Sequence, residues 1–166
     1  AFLYNSGLKI SKLGELSNDQ IKQAVKDLVE KKVDKNYFLD ELKLSMFSYD
    51  HFKIEQTYKA ILSEMSFREA FLDVFVPLLE FIGLQWLSDS ITPSHEHFIT
   101  SLVMQKLLIN TERVQSVRPD KSKVYVLFLP DDEIHELGLM YVNYELSKAG
   151  HQTIYLGPSV PIGSLE

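Results

Sequence analysis

VYVLFLPDDEIHELGL, residues 124–139, is the stretch on which the fold turns. It opens with an unbroken β-branched and aromatic run from Val124 to Leu129, bounded by Lys123 and Pro130, the pattern of a strand covered on both faces. A helix is predicted from about Glu133 to Ala149, ended by Gly150, and QTIYLG, residues 152–157, reads as a second strand. Strand, helix and strand within about 35 residues make a βαβ unit with parallel strands. Two strands do not complete a doubly wound domain, so the segment is expected to be the first part of a larger α/β domain. His135 falls just past the first strand, inside the predicted first helical turns, where open α/β sheets bind ligands.

Upstream, the chain reads as helical. LSNDQIKQAVKDLVEKK opens with a Ser17/Gln20 capping box and repeats apolar residues at Ile21, Ala24, Val25, Leu28 and Val29. A second helix is expected from Asp34 to about Tyr49, and a third has Asp50 as N-cap and Ile54, Tyr58, Ile61, Leu62 and Met65 on one face. Ser66 and Glu69 form another capping box, opening a helix apolar on nearly every side. That helix is expected to be the buried one of a bundle and to be kinked at Pro77. The last of the series begins at Thr92 as N-cap with Pro93 in the first helical position, and QSVRPDKSK, residues 115–123, is a polar linker. The expected fold is therefore mainly α, then α/β. Residues 1–33 end one module, 34–116 form a four-helix bundle, and 122–166 begin a Rossmann-like parallel sheet.

Composition restricts the function classes. With 166 residues and 45% hydrophobic content, the chain is long enough to bury roughly two thirds of its extended surface. There is no cysteine, which excludes disulfides and thiolate metal sites and fits a cytoplasmic setting. Residues 1–60 carry 10 basic and 9 acidic side chains and residues 61–166 carry 7 and 14, so no basic face offers itself to a phosphate backbone. The most apolar run, AFLDVFVPLLEFIGLQWL, is broken by Asp73, Pro77 and Glu80 and reads as too charged to span a bilayer.

Glu133, His135 and Gly138 form an acid-x-His-x-x-Gly pattern. One reading is a surface histidine at a helix N-terminus. The other is a neutral imidazole ligand whose second ring nitrogen is held by the carboxylate two residues earlier. Trp86 reads equally as a core aromatic, Glu96 as an acid favoured by the helix macrodipole and His97 as a solvated neighbour. His95 and His97, two apart on a helix, point to different sides and do not form a zinc pair.

LPDDEIHELGL, followed by IYLGPSVP, resembles the cobalamin-binding domain of methionine synthase and its relatives, in which the histidine of an Asp-x-His-x-x-Gly motif is the lower axial ligand of cobalt. Glutamate in place of aspartate is similar to one branch, the MerR-family light-responsive repressors of the CarH and LitR kind. That branch carries a tryptophan, nine residues, then Glu-His in its helical cap, and Trp86 with Glu96 and His97 matches in type and spacing. GLKISKLGELSNDQIKQAV, residues 7–25, also resembles the end of a MerR winged helix-turn-helix module.

The resemblance implies a switch rather than an enzyme. His135 is the expected lower ligand of adenosylcobalamin, with Glu133, Gly138 and Gly157 in the surrounding loops. Trp86 is expected to pack beside the 5′-deoxyadenosyl group, Glu96 to hydrogen-bond its ribose, and His97 to become the upper ligand after photolysis. The implied partners are DNA, held by the N-terminal module, and further copies of the chain in a dimer or tetramer, with no membrane. The family's further cobalamin motifs would lie beyond Glu166, so this stretch alone is expected to bind cobalamin weakly or not at all. A corrinoid methyl carrier or methionine synthase module is the alternative, with the same cap and histidine.

Overall fold

Local hydrogen bonding at helix ends sets most of the element boundaries in the computed structural model, which describes residues 36–87, 90–115 and 119–165, with Ser17 and Gln20. The Ser17 N–H donates to Gln20 Oε1 at 2.8 Å and the Gln20 N–H to Ser17 Oγ at 3.3 Å, so the expected capping box is closed. The helix predicted to follow it, and the segment resembling a helix-turn-helix module, otherwise lie outside the described residues. The chain divides into two compact units, Ala1–His95 and Glu96–Glu166.

In the first unit, helix α1 covers residues 36–47 and buries Phe38, Leu42, Ser45 and Met46, spaced as one helical face requires. It ends in a Schellman arrangement: the Asp50 N–H donates to the Ser45 carbonyl at 2.9 Å and the Tyr49 N–H to that of Met46 at 3.2 Å, with Tyr49 at φ 53°. Asp50 then starts helix α2, His51–Glu64, by accepting the Lys53 N–H at 2.9 Å. Ile54, Tyr58 and Ile61 are buried as predicted, together with Thr57. Leu62 and Met65 are half-buried.

Helix α3, Phe67–Leu87, begins with the predicted box, in which Ser66 Oγ accepts the Glu69 N–H and Glu69 Oε2 accepts the Ser66 N–H. The disturbance expected at Pro77 takes the form of a π-helical turn over Phe71–Phe75, after which the Val76 N–H reaches back to the Phe71 carbonyl. A regular helix would drive the Asp73 carbonyl into the Pro77 ring, and a wide turn is one of the ways a helix absorbs such a clash. Phe67, Ala70, Phe71, Val74, Phe75, Leu78 and Ile82 are buried. The helix is not buried all round, however: Leu72, Leu84, Trp86 and Leu87 are exposed. Contrary to the expectation from its two acids, the run does have the length and apolar composition of a membrane-crossing helix, a criterion that the core helix of a helical protein also meets.

Helix α4, Pro93–Val114, follows Thr92 directly and passes through the boundary between the units. In the second unit it buries Ile99, Leu102, Val103, Lys106, Leu107 and Asn110, and the Asn110 side chain donates to the Lys106 carbonyl at 2.7 Å. Strand β1, Asp120–Phe128, is parallel to β2, His151–Gly157, with helix α5, Leu137–Lys148, between them in sequence. The fold is thus mainly α and then α/β, as expected.

Three details differ from the expected ones. β1 begins at Asp120, inside the predicted linker, because the Asp120 N–H donates to the Gly150 carbonyl at 2.8 Å. The register is then irregular between Asp120 and Val124. α5 starts at Leu137 rather than near Glu133, for a reason that lies in the site itself. The first strand is not covered on both faces either: Val124, Val126, Ile154 and Leu156, alternate residues of the two strands, are 43–47% exposed, while α5 buries Met140, Tyr144 and Ser147.

The two sides of α3 give a stability test. Leu78→Ala, at a fully buried position, is expected to cost about 2–5 kcal/mol in chemical denaturation, and Leu84→Ala, on the exposed side, less than about 0.5 kcal/mol. Equal costs would contradict the assigned core.

Candidate functional site

The loop after β1 builds the site from its own side chains. Past Pro130 the chain turns at Asp131 and Asp132, the latter at φ 66°, and the Glu133 N–H donates to the Pro130 carbonyl at 3.1 Å. The Glu133 side chain then folds forward. Its Oε1 accepts the main-chain N–H of His135 at 2.8 Å and lies 2.7 Å from the same residue's Nδ1. An ionised carboxylate only accepts, so Nδ1 carries the proton of this contact and a neutral ring presents its Nε2 lone pair outward. The His135 side chain is 89% exposed and that of Glu133 44%.

This contact is also why α5 starts late. Glu133 holds residue 135 outside the helix, and the Glu136 N–H closes a tight turn onto the Ile134 carbonyl at 2.8 Å. His135 accordingly stands in the loop, two residues before Leu137, and not within the first helical turns as predicted.

The loop after β2 braces the arrangement. The Ser159 N–H donates to the Glu133 carbonyl at 3.1 Å and the Asp132 N–H to Ser159 Oγ at 3.3 Å. The Val160 N–H donates to the Leu129 carbonyl at 2.9 Å, and the Leu129 N–H to that of Gly157 at 3.0 Å. Gly157 sits at φ 84°, which explains glycine there by backbone conformation alone. The Tyr155 hydroxyl donates to Glu136 Oε2 at 2.7 Å, and partial burial, with that bond, pushes the phenol pKa well above its ordinary value. Ser159, Tyr155 and Glu136 had no motif to mark them, since each acts through a partner far along the chain.

Of the residues singled out in the sequence, Glu133 and His135 are in direct contact, and Gly157 is joined to their loop through Leu129. Gly138 lies in the first turn of α5, where an added Cβ would meet nothing within 4 Å. Trp86 ends α3 in the first unit with 44% exposure. Glu96, half-buried, and His97, exposed, are the first residues of α4 in the second unit. Among the described residues no group of three or more His, Cys, Asp or Glu side chains could hold a metal ion.

Residues 38–109 match the family described as the B12 binding domain. Over 118 residues, 71% of this chain, the sequence is 26% identical to the HTH-type transcriptional repressor CarH of Myxococcus xanthus. The chain spans 38% of that relative's length. Together these likenesses support a cobalamin-binding domain.

The Glu133 carboxyl is held below the ordinary glutamate range, first by the main-chain N–H of His135 and then by its ring. A depressed carboxylate stabilises the loop above its unfolded pKa of about 4.3, and the contribution is lost as pH falls through the lower folded value. A carbon-detected NMR titration should find Glu133 titrating below other exposed glutamates. His135→Ala should return it only part of the way, because the main-chain donor stays. A midpoint in the ordinary range would contradict the geometry.

Proposed function

We propose that the chain is the cobalamin-binding sensory part of a MerR-type transcriptional repressor that uses adenosylcobalamin to respond to light. The observation that carries this reading is the Glu133/His135 pair at the carboxyl edge of the sheet: an exposed imidazole, oriented through Nδ1, with Nε2 free to ligate. The donor set fits a corrin, which brings its own ring nitrogens to cobalt and would leave one position for His135 Nε2. The match over the helical region to the B12 binding domain family supports the same cofactor independently of that loop. Open space beside Gly138 suits the close approach of a large ligand.

In this reading His135 Nε2 would hold the cobalt, and Glu133 would keep the ring in the ligating tautomer. Trp86 would pack against the adenosyl group and Glu96 would hydrogen-bond its ribose. When bound, adenosylcobalamin would supply a light-sensitive cobalt–carbon bond. His97, exposed beside Glu96 on α4, would be a second imidazole available to the metal. These contacts of Trp86 and Glu96 would exist only while the adenosyl group is present, which is what a ligand-controlled equilibrium requires. DNA is held by the N-terminal module, the repressor is a dimer or tetramer in the cytoplasm, and no residue here acts as a catalyst.

The test uses full-length protein with adenosylcobalamin, followed by visible absorbance and by gel shift with operator DNA. Illumination should change the spectrum and release DNA. Glu133→Ala should weaken cobalamin binding roughly 10–100-fold and His135→Ala by more, whereas His97→Ala should leave dark binding intact and alter only the photoproduct spectrum. DNA binding indifferent to both cobalamin and light would end the photoreceptor reading. Methyl transfer without DNA binding would favour the corrinoid carrier.

A further inference from the structure

The turn between α1 and α2 places a tyrosine where the backbone favours glycine. Tyr49 occupies the left-handed position of the Schellman arrangement, at φ 53°, where a Cβ is normally penalised. Contacts with the start of α4, all within the first unit, offset that strain. The Tyr49 ring is stacked on the imidazole of His95, with centroids 4.8 Å apart and planes at 16°, and its hydroxyl lies 2.8 Å from Ser94 Oγ. Phe47, the last residue of α1, meets the same imidazole edge-on at 5.6 Å.

His95 in turn does the work of a capping-box side chain. It is the third residue of α4, where glutamate or glutamine commonly reaches back to the residue before the helix. Here the Thr92 N–H donates to His95 Nδ1 at 3.2 Å, Thr92 Oγ1 lies 2.9 Å from the same atom, and the His95 N–H donates to the Thr92 carbonyl at 3.0 Å. An Nδ1 that accepts a main-chain N–H has its lone pair there, so the ring must be held at one orientation for the helix start to close. The stacked phenol supplies that hold.

We propose that Tyr49 is a positioning residue for the first turn of α4, and through it for Glu96 and His97, the next residues of that helix. The inference rests on the reading that those two side chains serve the upper ligand of the cofactor. The strained turn and the helix start are then set together. A change at Glu96 and His97 that tilts the first turn of α4 works against the ring stack and reaches the end of α1, and the coupling runs equally in the other direction.

The experiment uses three variants of the full-length protein. Tyr49→Gly relieves the backbone strain while removing ring and hydroxyl, Tyr49→Phe keeps the stack alone, and His95→Gln keeps an acceptor at the third helical position without the stack. Amide hydrogen exchange at Glu96 and His97 is measured without cofactor, with Leu102 and Val103 of the same helix as internal references. Dark titration with adenosylcobalamin is followed by absorbance. Tyr49→Gly should raise exchange at Glu96 and His97 about fivefold over the references, the size of a lost cap, and raise the adenosylcobalamin Kd by a similar factor. Tyr49→Phe should stay near wild type and His95→Gln fall between. Unchanged exchange in Tyr49→Gly overturns the positioning role and leaves the cofactor reading intact. Raised exchange with unchanged cobalamin affinity overturns the link from this turn to the cofactor. A wild-type protein that binds no adenosylcobalamin overturns the cofactor reading, and the link with it, whatever the exchange shows.

Discussion

One carboxylate oxygen, Glu133 Oε1, receives both the main-chain N–H and the ring nitrogen of His135, and the candidate site depends on that double contact. The first bond holds residue 135 out of the helix, which delays α5 to Leu137. The second fixes which ring nitrogen faces solvent. Because both bonds come from the same residue, backbone and side chain cannot reorient separately. The cross-loop bonds from Ser159 and Val160 then tie this segment to the end of β2, so the imidazole is oriented before any ligand arrives. Orientation in advance lowers what ordering would otherwise cost on binding.

The helical part relies on the same kind of short-range satisfaction. Asp50 serves twice, closing α1 with its N–H and opening α2 with its carboxylate, so the two helices share a hinge of a few residues. Ser66 and Glu69 open α3 reciprocally. At the start of α4 an imidazole takes the place of the usual carboxylate, which makes that helix start depend on the aromatic rings of Phe47 and Tyr49. Such a start has more partners than an ordinary cap and is correspondingly more open to control from elsewhere in its unit.

What was legible in the sequence is what local chemistry decides. The boxes at Ser17 and Ser66, the cap at Asp50 and the buried faces of the helices follow from residues three or four apart. The parallel strands followed from a helical pattern between two β-branched runs. The Glu133/His135 spacing pointed to its contact because a carboxylate folded forward along the chain reaches the residue two positions on. The parts not legible depend on distant partners: β1 starts early through a bond to Gly150, Glu133 is braced by Ser159, and Tyr49 keeps a left-handed backbone against His95. Exposure of Val124, Val126, Ile154 and Leu156 was likewise not to be read from an apolar run, which fixes the strand and not what lies against each face.

The most direct test of the account is electron paramagnetic resonance of cob(II)alamin bound to the full-length protein, grown with ordinary or ¹⁵N-labelled histidine. Cobalt coupled to one axial nitrogen gives each line as a triplet for ¹⁴N and a doublet for ¹⁵N. If His135 is the lower ligand, labelled histidine converts the triplets to doublets, and His135→Ala abolishes that response. Triplets that persist with labelled histidine would show the cofactor's own benzimidazole nitrogen on cobalt, and would contradict the role assigned to His135.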